Sequence, residues 1–147
     1  MSDISVLSNQ YEQLVTTSDK VNNSVIVLKK NNMLSNKSVQ QRYPKLAVSE
    51  NEVNSANSIL ASFLQNVIGI IKGDSQESQY IPSLILEDYK EQLSKNPYMR
   101  EDIEELLRNI NDLKQLEDKH MTVLDSILSV LDIERSALFR KLRTARG

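Results

Sequence analysis

Apolar residues recur at three- and four-residue intervals over most of this chain, which is the period of amphipathic helices. The longest such run is C-terminal. From Pro97 to about Arg143 the seam reads Ile103, Leu106, Ile110, Leu113, then Leu124, Ile127, Leu131 and Leu138, and Gly and Pro are absent between Tyr98 and Arg146. Asn96 suits a helix N-cap and Pro97 the first helical position. Glu101, Asp102, Glu104 and Glu105 lie near the positive end of the dipole and the basic tail near the negative end. One continuous helix of roughly 45 residues, about 68 Å long, is therefore predicted.

Upstream, a heptad with Ile4, Tyr11, Ser18 and Val25 at a and Leu7, Leu14, Val21 and Leu28 at d predicts a first helix over 3–35, with Ser2 as its cap. Its weak stretch is Val21 to Leu28, where Asn and Val are poor helix formers and a strand competes. Residues 31–46, ending in Tyr43-Pro44, read as a loop. Ser49 and Glu52 have capping-box spacing. The second helix follows, with Val53, Ala56, Leu60, Phe63, Val67 and Ile70 in the seam and Ile59, Leu64, Ile68 and Ile71 widening it. Lys72-Gly73 would close it. A polar linker over 74–79 leads to a short third helix from Ile81-Pro82 to Lys95, striped by Leu86, Tyr89 and Leu93.

The expected fold is all-α, with three to four helices: an N-terminal helical hairpin packed on a long C-terminal coiled-coil-like helix. Residues 1–95 supply the hairpin and third helix and 96–147 the long helix, as one structural unit. Neither hairpin helix matches the last one in length, so the seam beyond about Thr122 is expected to lack a partner in the chain. An open Leu/Ile seam generally finds another chain.

Composition sharpens this picture without changing it. Two Phe, five Tyr and no Trp leave few bulky groups for a thick core, while 26% charged residues suit helices with wide wet faces. Cysteine is absent, which excludes disulfides and thiolate metal sites. The N-terminal stretch lacks the basic and apolar regions of a secretory signal, and no apolar run approaches a membrane span. An intracellular, cytoplasmic or nuclear chain is expected, and the sequons at Asn22 and Asn36 then read as chance.

Net charge is −2, unevenly spread. Residues 135–147 hold Arg135, Arg140, Lys141, Arg143 and Arg146 and no acid, a local +5 that leaves −7 on the first 134 residues. This basic end could meet nucleic-acid phosphate, an anionic membrane or an acidic protein groove. Duplex is disfavoured by the acidic body. The plain alternative is complementation of the helix dipole.

Little else carries chemistry. His120 is the only histidine. A strict heptad from Ile103 places Glu117 at a and His120 at d, where a buried polar layer would fix register. A shift through Leu116 and Met121 would leave both in water. Histidine phosphotransfer is a third reading, weakened because Met121 to Leu124 lack the Lys and Gly usual beside such a residue. The acids at 101–105 lack the glycine and alternating oxygens of a calcium loop. Gly69, Gly73 and Gly147 form no phosphate loop.

The sequence thus predicts a non-catalytic helical scaffold or adaptor without cofactor or metal, binding protein partners or its own copies. The expected contacts are Leu124, Ile127, Leu128, Leu131, Leu138, Arg140, Lys141 and Arg143, with Glu117 and His120 as register setters. A nucleic-acid- or anionic-membrane-binding module using the basic end is the alternative.

Overall fold

The computed structural model describes residues 2–34, 37–72, 91, 95, 99–110 and 117–146. Among these there are five helices and no strand: α1 (Ser2–Leu34), α2 (Lys37–Arg42), α3 (Glu50–Lys72), α4 (Met99–Asn109) and α5 (Asp118–Ala145), with a 3-10 turn at Pro44–Leu46. The all-α expectation holds, and a long C-terminal helix packs against N-terminal helices.

The first helix follows its heptad. Leu14, Val21 and Leu28 at d are buried, as are Ser18 and Val25 at a, while Leu7 and Tyr11 pack at the edge of the core. The weak Val21–Leu28 stretch stays helical. Part of the reason is local: the Ser24 hydroxyl donates to the Lys20 carbonyl at 2.8 Å, satisfying a polar side chain without leaving the helix. Asn66, Thr122 and Ser126 make the same four-residue back-bond, so a chain rich in Ser and Asn can remain helical.

The loop expected over 31–46 contains more structure than its polarity suggested, since α1 runs to Leu34 and α2 and the 3-10 turn follow. Ser49 caps α3 with half of the expected box: the Glu52 backbone N–H donates to its hydroxyl oxygen at 3.1 Å, while the Glu52 carboxylate accepts the Ser49 hydroxyl at 3.3 Å in place of the Ser49 N–H. All six seam residues of α3, from Val53 to Ile70, are buried. Each fully buried Leu, Ile or Phe contributes roughly 1.5–3 kcal/mol of transfer free energy. The Gly73 cap, the linker, the third helix apart from Glu91 and Lys95, the Asn96-Pro97 start, the Leu113 and Leu116 positions and the Ile71 side chain lie outside the described residues.

The single helix from Pro97 is corrected. Helix α4 ends at Asn109, Ile110 is a turn, and Glu117 has an extended backbone (φ −78°, ψ 160°) before α5 begins at Asp118. Apolar spacing hid the break, because Ile103, Leu106 and Ile110 before it and Leu124, Ile127 and Leu131 after it are all buried in one contiguous core. A seam can keep its period across a helix end when both pieces bury the same phase.

The partners of α5 follow from two contacts. Tyr11 and Phe139 have ring centroids 5.6 Å apart, and Lys29 Nζ lies 3.8 Å from Asp125 Oδ1, so α1 and α5 run antiparallel along their length. Helix α3 packs beside α1, and α4 brackets the other two. Its adjacent glutamates reach different helices: Glu104 pairs with Lys72 of α3 at 3.5 Å and Glu105 with Lys119 of α5 at 2.7 Å.

Candidate functional site

Helix α5 carries every residue expected to bind a partner, and the structure divides them into two groups. Leu124, Ile127 and Leu138 are fully buried and Leu131 is 1% exposed, all within the chain's own core, while Leu128 is half-buried against it. The expectation of an open seam here is corrected. Its premise was helix length. Starting at Asp118, α5 has 28 residues, about 42 Å, and α1 with 33 residues spans about 50 Å, long enough to cover it. Arg140, Lys141 and Arg143 form the second group, on the exposed side.

Glu117 and His120 do interact, but as a helix start rather than a coiled-coil layer. Glu117 is the N-cap, and its backbone carbonyl accepts the His120 N–H at 3.0 Å and the Met121 N–H at 3.1 Å, with its side chain in capping-box position. In return the Glu117 backbone N–H donates to His120 Nδ1 at 3.3 Å. The pair forms a capping box in which imidazole takes the place of the usual Glu or Gln. Neither sequence reading fits both residues, since His120 is buried and Glu117 exposed. Nδ1 is the accepting nitrogen, and Nε2 is the other. That nitrogen is buried without a hydrogen-bond partner, so the imidazole offers no open nitrogen for phosphotransfer.

Buried polar residues do occur in the core, at a different level. Glu134 is 4% exposed and continues the spacing of Ile127, Leu131 and Leu138. Interpolating between the Tyr11–Phe139 and Lys29–Asp125 contacts sets Glu134 level with Thr17 and Ser18 of α1, both buried. Glu134 and Thr17 each have an interaction partner, whereas Ser18 Oγ is buried without a hydrogen-bond partner. Sequence reasoning placed Ser18 at an a position but missed Glu134. The signal was present: a glutamate on the seam register in the gap between Leu131 and Leu138.

The N-terminal end of α5 is fastened electrostatically. The hydrogen bond from Lys119, and then its charge, hold Glu105 below its ordinary pKa; the same bond, and then the charge of Glu105, raise Lys119. Both groups are solvated, so the pair adds little stability.

The C-terminal end differs. Arg135 Nη2 donates to Asp132 Oδ1 at 2.9 Å, but among the described residues Arg140, Lys141, Arg143 and Arg146 have no ion-pair partner. Phe139 is 46% exposed, although its ring meets Tyr11. A groove of about 300 Å³ opens between α1 and α5, lined by Tyr11, Arg135, Ser136, Phe139 and Arg140. Sequence reasoning noted the arginines and a nearby Phe139, but not Tyr11, which lies about 130 residues away in the chain.

Among the described residues no group of three or more His, Asp or Glu is placed to hold a metal ion, and no helix is long and apolar enough to cross a membrane. Compared with protein-family profiles, with curated proteins and with solved structures, the chain matches none.

Proposed function

We propose that this chain is a non-catalytic helical scaffold or adaptor subunit that joins a larger protein assembly. One observation carries the reading: closure of the α1/α5 seam leaves, at the C-terminal end of α5, a basic stretch with an exposed Phe139 and with Arg140, Arg143 and Arg146 lacking an ion-pair partner among the described residues. Aromatic and Arg side chains are enriched where proteins bind proteins. The contacts assigned to partners accordingly move from Leu124, Ile127, Leu131 and Leu138 to Arg140, Lys141, Arg143 and Phe139. Leu128, on the flank of the seam, supports packing more than recognition.

Binding of nucleic acid or an anionic membrane through the same end stands second. A net −7 on the first 134 residues opposes phosphate. The apolar face that would enter a bilayer, Leu138 and Leu142, is already buried within the chain. An intracellular setting, cytoplasmic or nuclear, belongs to this proposal.

The test is affinity purification of the full chain from cells with partner identification, beside mass measurement in solution. A stoichiometric protein complex or a defined oligomer is expected. A monomer at tens of micromolar that recovers no partner would sink the reading.

A further inference from the structure

The basic end is more than a charged surface, because it has a shaped recess. Tyr11 of α1 and Phe139 of α5 form an aromatic floor at 5.6 Å centroid spacing, and Arg135, Ser136 and Arg140 complete the lining of the groove of about 300 Å³. Arg140 has no ion-pair partner among the described residues, and Lys141, Arg143 and Arg146 continue the positive field along the helix. Arg135 commits one nitrogen to Asp132 and keeps its other guanidinium N–H groups available.

From this geometry we infer that the groove is a docking site for an acidic segment of another protein, seating one apolar side chain on Tyr11 and Phe139 between Arg135 and Arg140. The inference rests on the assembly reading above and names the partner's chemistry. Two features select the occupant. The acid-free stretch 135–147 carries +5, so carboxylates are the complementary group, and Arg presents them with a fork that binds two oxygens at once. The exposed aromatic surface rewards an apolar anchor, which a bare polyphosphate backbone does not provide. The larger groove of about 410 Å³ between α1 and α3 has Lys20 and Glu52 among its lining and no net charge to choose a partner.

The experiment uses the full chain and a fluorescein-labelled glutamate-rich peptide with a central Leu-Trp pair, followed by anisotropy at low salt. Binding that weakens as salt rises is expected, with no binding of the same peptide carrying lysine in place of glutamate. Arg140→Glu should lower affinity roughly tenfold or more, and Phe139→Ser by a similar factor, with helicity by circular dichroism unchanged. Lys45→Glu, an exposed change in the 3-10 turn, should leave affinity unaltered.

Binding that survives Arg140→Glu and Phe139→Ser overturns the groove. So does a preference of the wild-type chain for duplex DNA or phosphatidylserine vesicles, or the finding that both variants abolish self-association instead. The two readings fail separately. A cellular complex that persists in Arg140→Glu removes the groove and keeps the assembly subunit, whereas recovery of no complex by the wild-type chain removes the subunit reading itself.

Discussion

The two ends of α5 are fastened in different ways. At its start, His120 is buried, Glu117 caps the helix, and Lys119 and Asp125 reach Glu105 and Lys29 on two neighbouring helices. Toward its finish the contacts among the described residues are apolar: Leu138 and Leu142 lie against the interior and the Phe139 ring meets Tyr11, while Arg140, Lys141, Arg143 and Arg146 are exposed and have no ion-pair partner among the described residues. Polar groups at the first end answer one another; at the second they are left for something else. Exposed hydrophobicity alone would not reveal this, because single exposed apolar residues are ordinary on any protein. Unanswered charge beside an exposed aromatic is more informative.

Six substitutions test this contrast, beginning with the largest effect. Ile127→Ala and Leu138→Ala should each destabilise the chain by about 2–5 kcal/mol, read by chemical denaturation, since both side chains are fully buried. A cost below about 1 kcal/mol at Leu138 alone would instead make the C-terminal half a detachable arm. Next, Ser49→Ala should cost about 1 kcal/mol, because its hydroxyl accepts the Glu52 N–H, and Glu117→Ala less, because the bond from the Glu117 N–H to the His120 ring survives the change. A Glu117→Ala protein as stable as wild type would mean that the ion pairs suffice to fix that end.

Ser18→Ala acts in the opposite direction. Its hydroxyl is buried without a partner at the level of Glu134, so removing it should raise stability by up to about 1 kcal/mol. A fall in stability would show that the hydroxyl is satisfied.

The smallest effect concerns Lys119 and Glu105, and pH isolates it. Glu105 is held below its ordinary 4.5, so its contribution is full above that value and is lost as pH falls through the lowered one. Lys119 is held above its ordinary 10.5, so its share is full below that value and is lost as pH rises through the raised one. Glu105→Gln should therefore lower the Tm slightly between those limits, and the difference should close in acid and shrink in high salt. A difference that persists unchanged in acid would separate the effect from ionisation.

Much of the fold was legible because helix period and helix caps are local signals. The α1 heptad, the α3 seam and the Ser49 cap all stand where residue type and spacing placed them. The break before α5 was not legible. Glu117-x-x-His120 has the spacing of Ser49-x-x-Glu52, but an N-cap glutamate whose N–H is answered by imidazole does not resemble the usual signature. The candidate site was half legible. Its arginines are a visible run, whereas Tyr11 joins them only because α1 folds antiparallel to α5.

By itself the sequence determined the helical class, the buried faces of α1 and α3 and the charge of the C-terminal end. These depend on side-chain spacing and composition, which the chain carries before it folds. Tertiary structure decided which apolar face was left over. That depends on the relative lengths and directions of packed helices, and with α1 long enough to cover α5, the surplus was a basic, aromatic groove rather than a leucine seam.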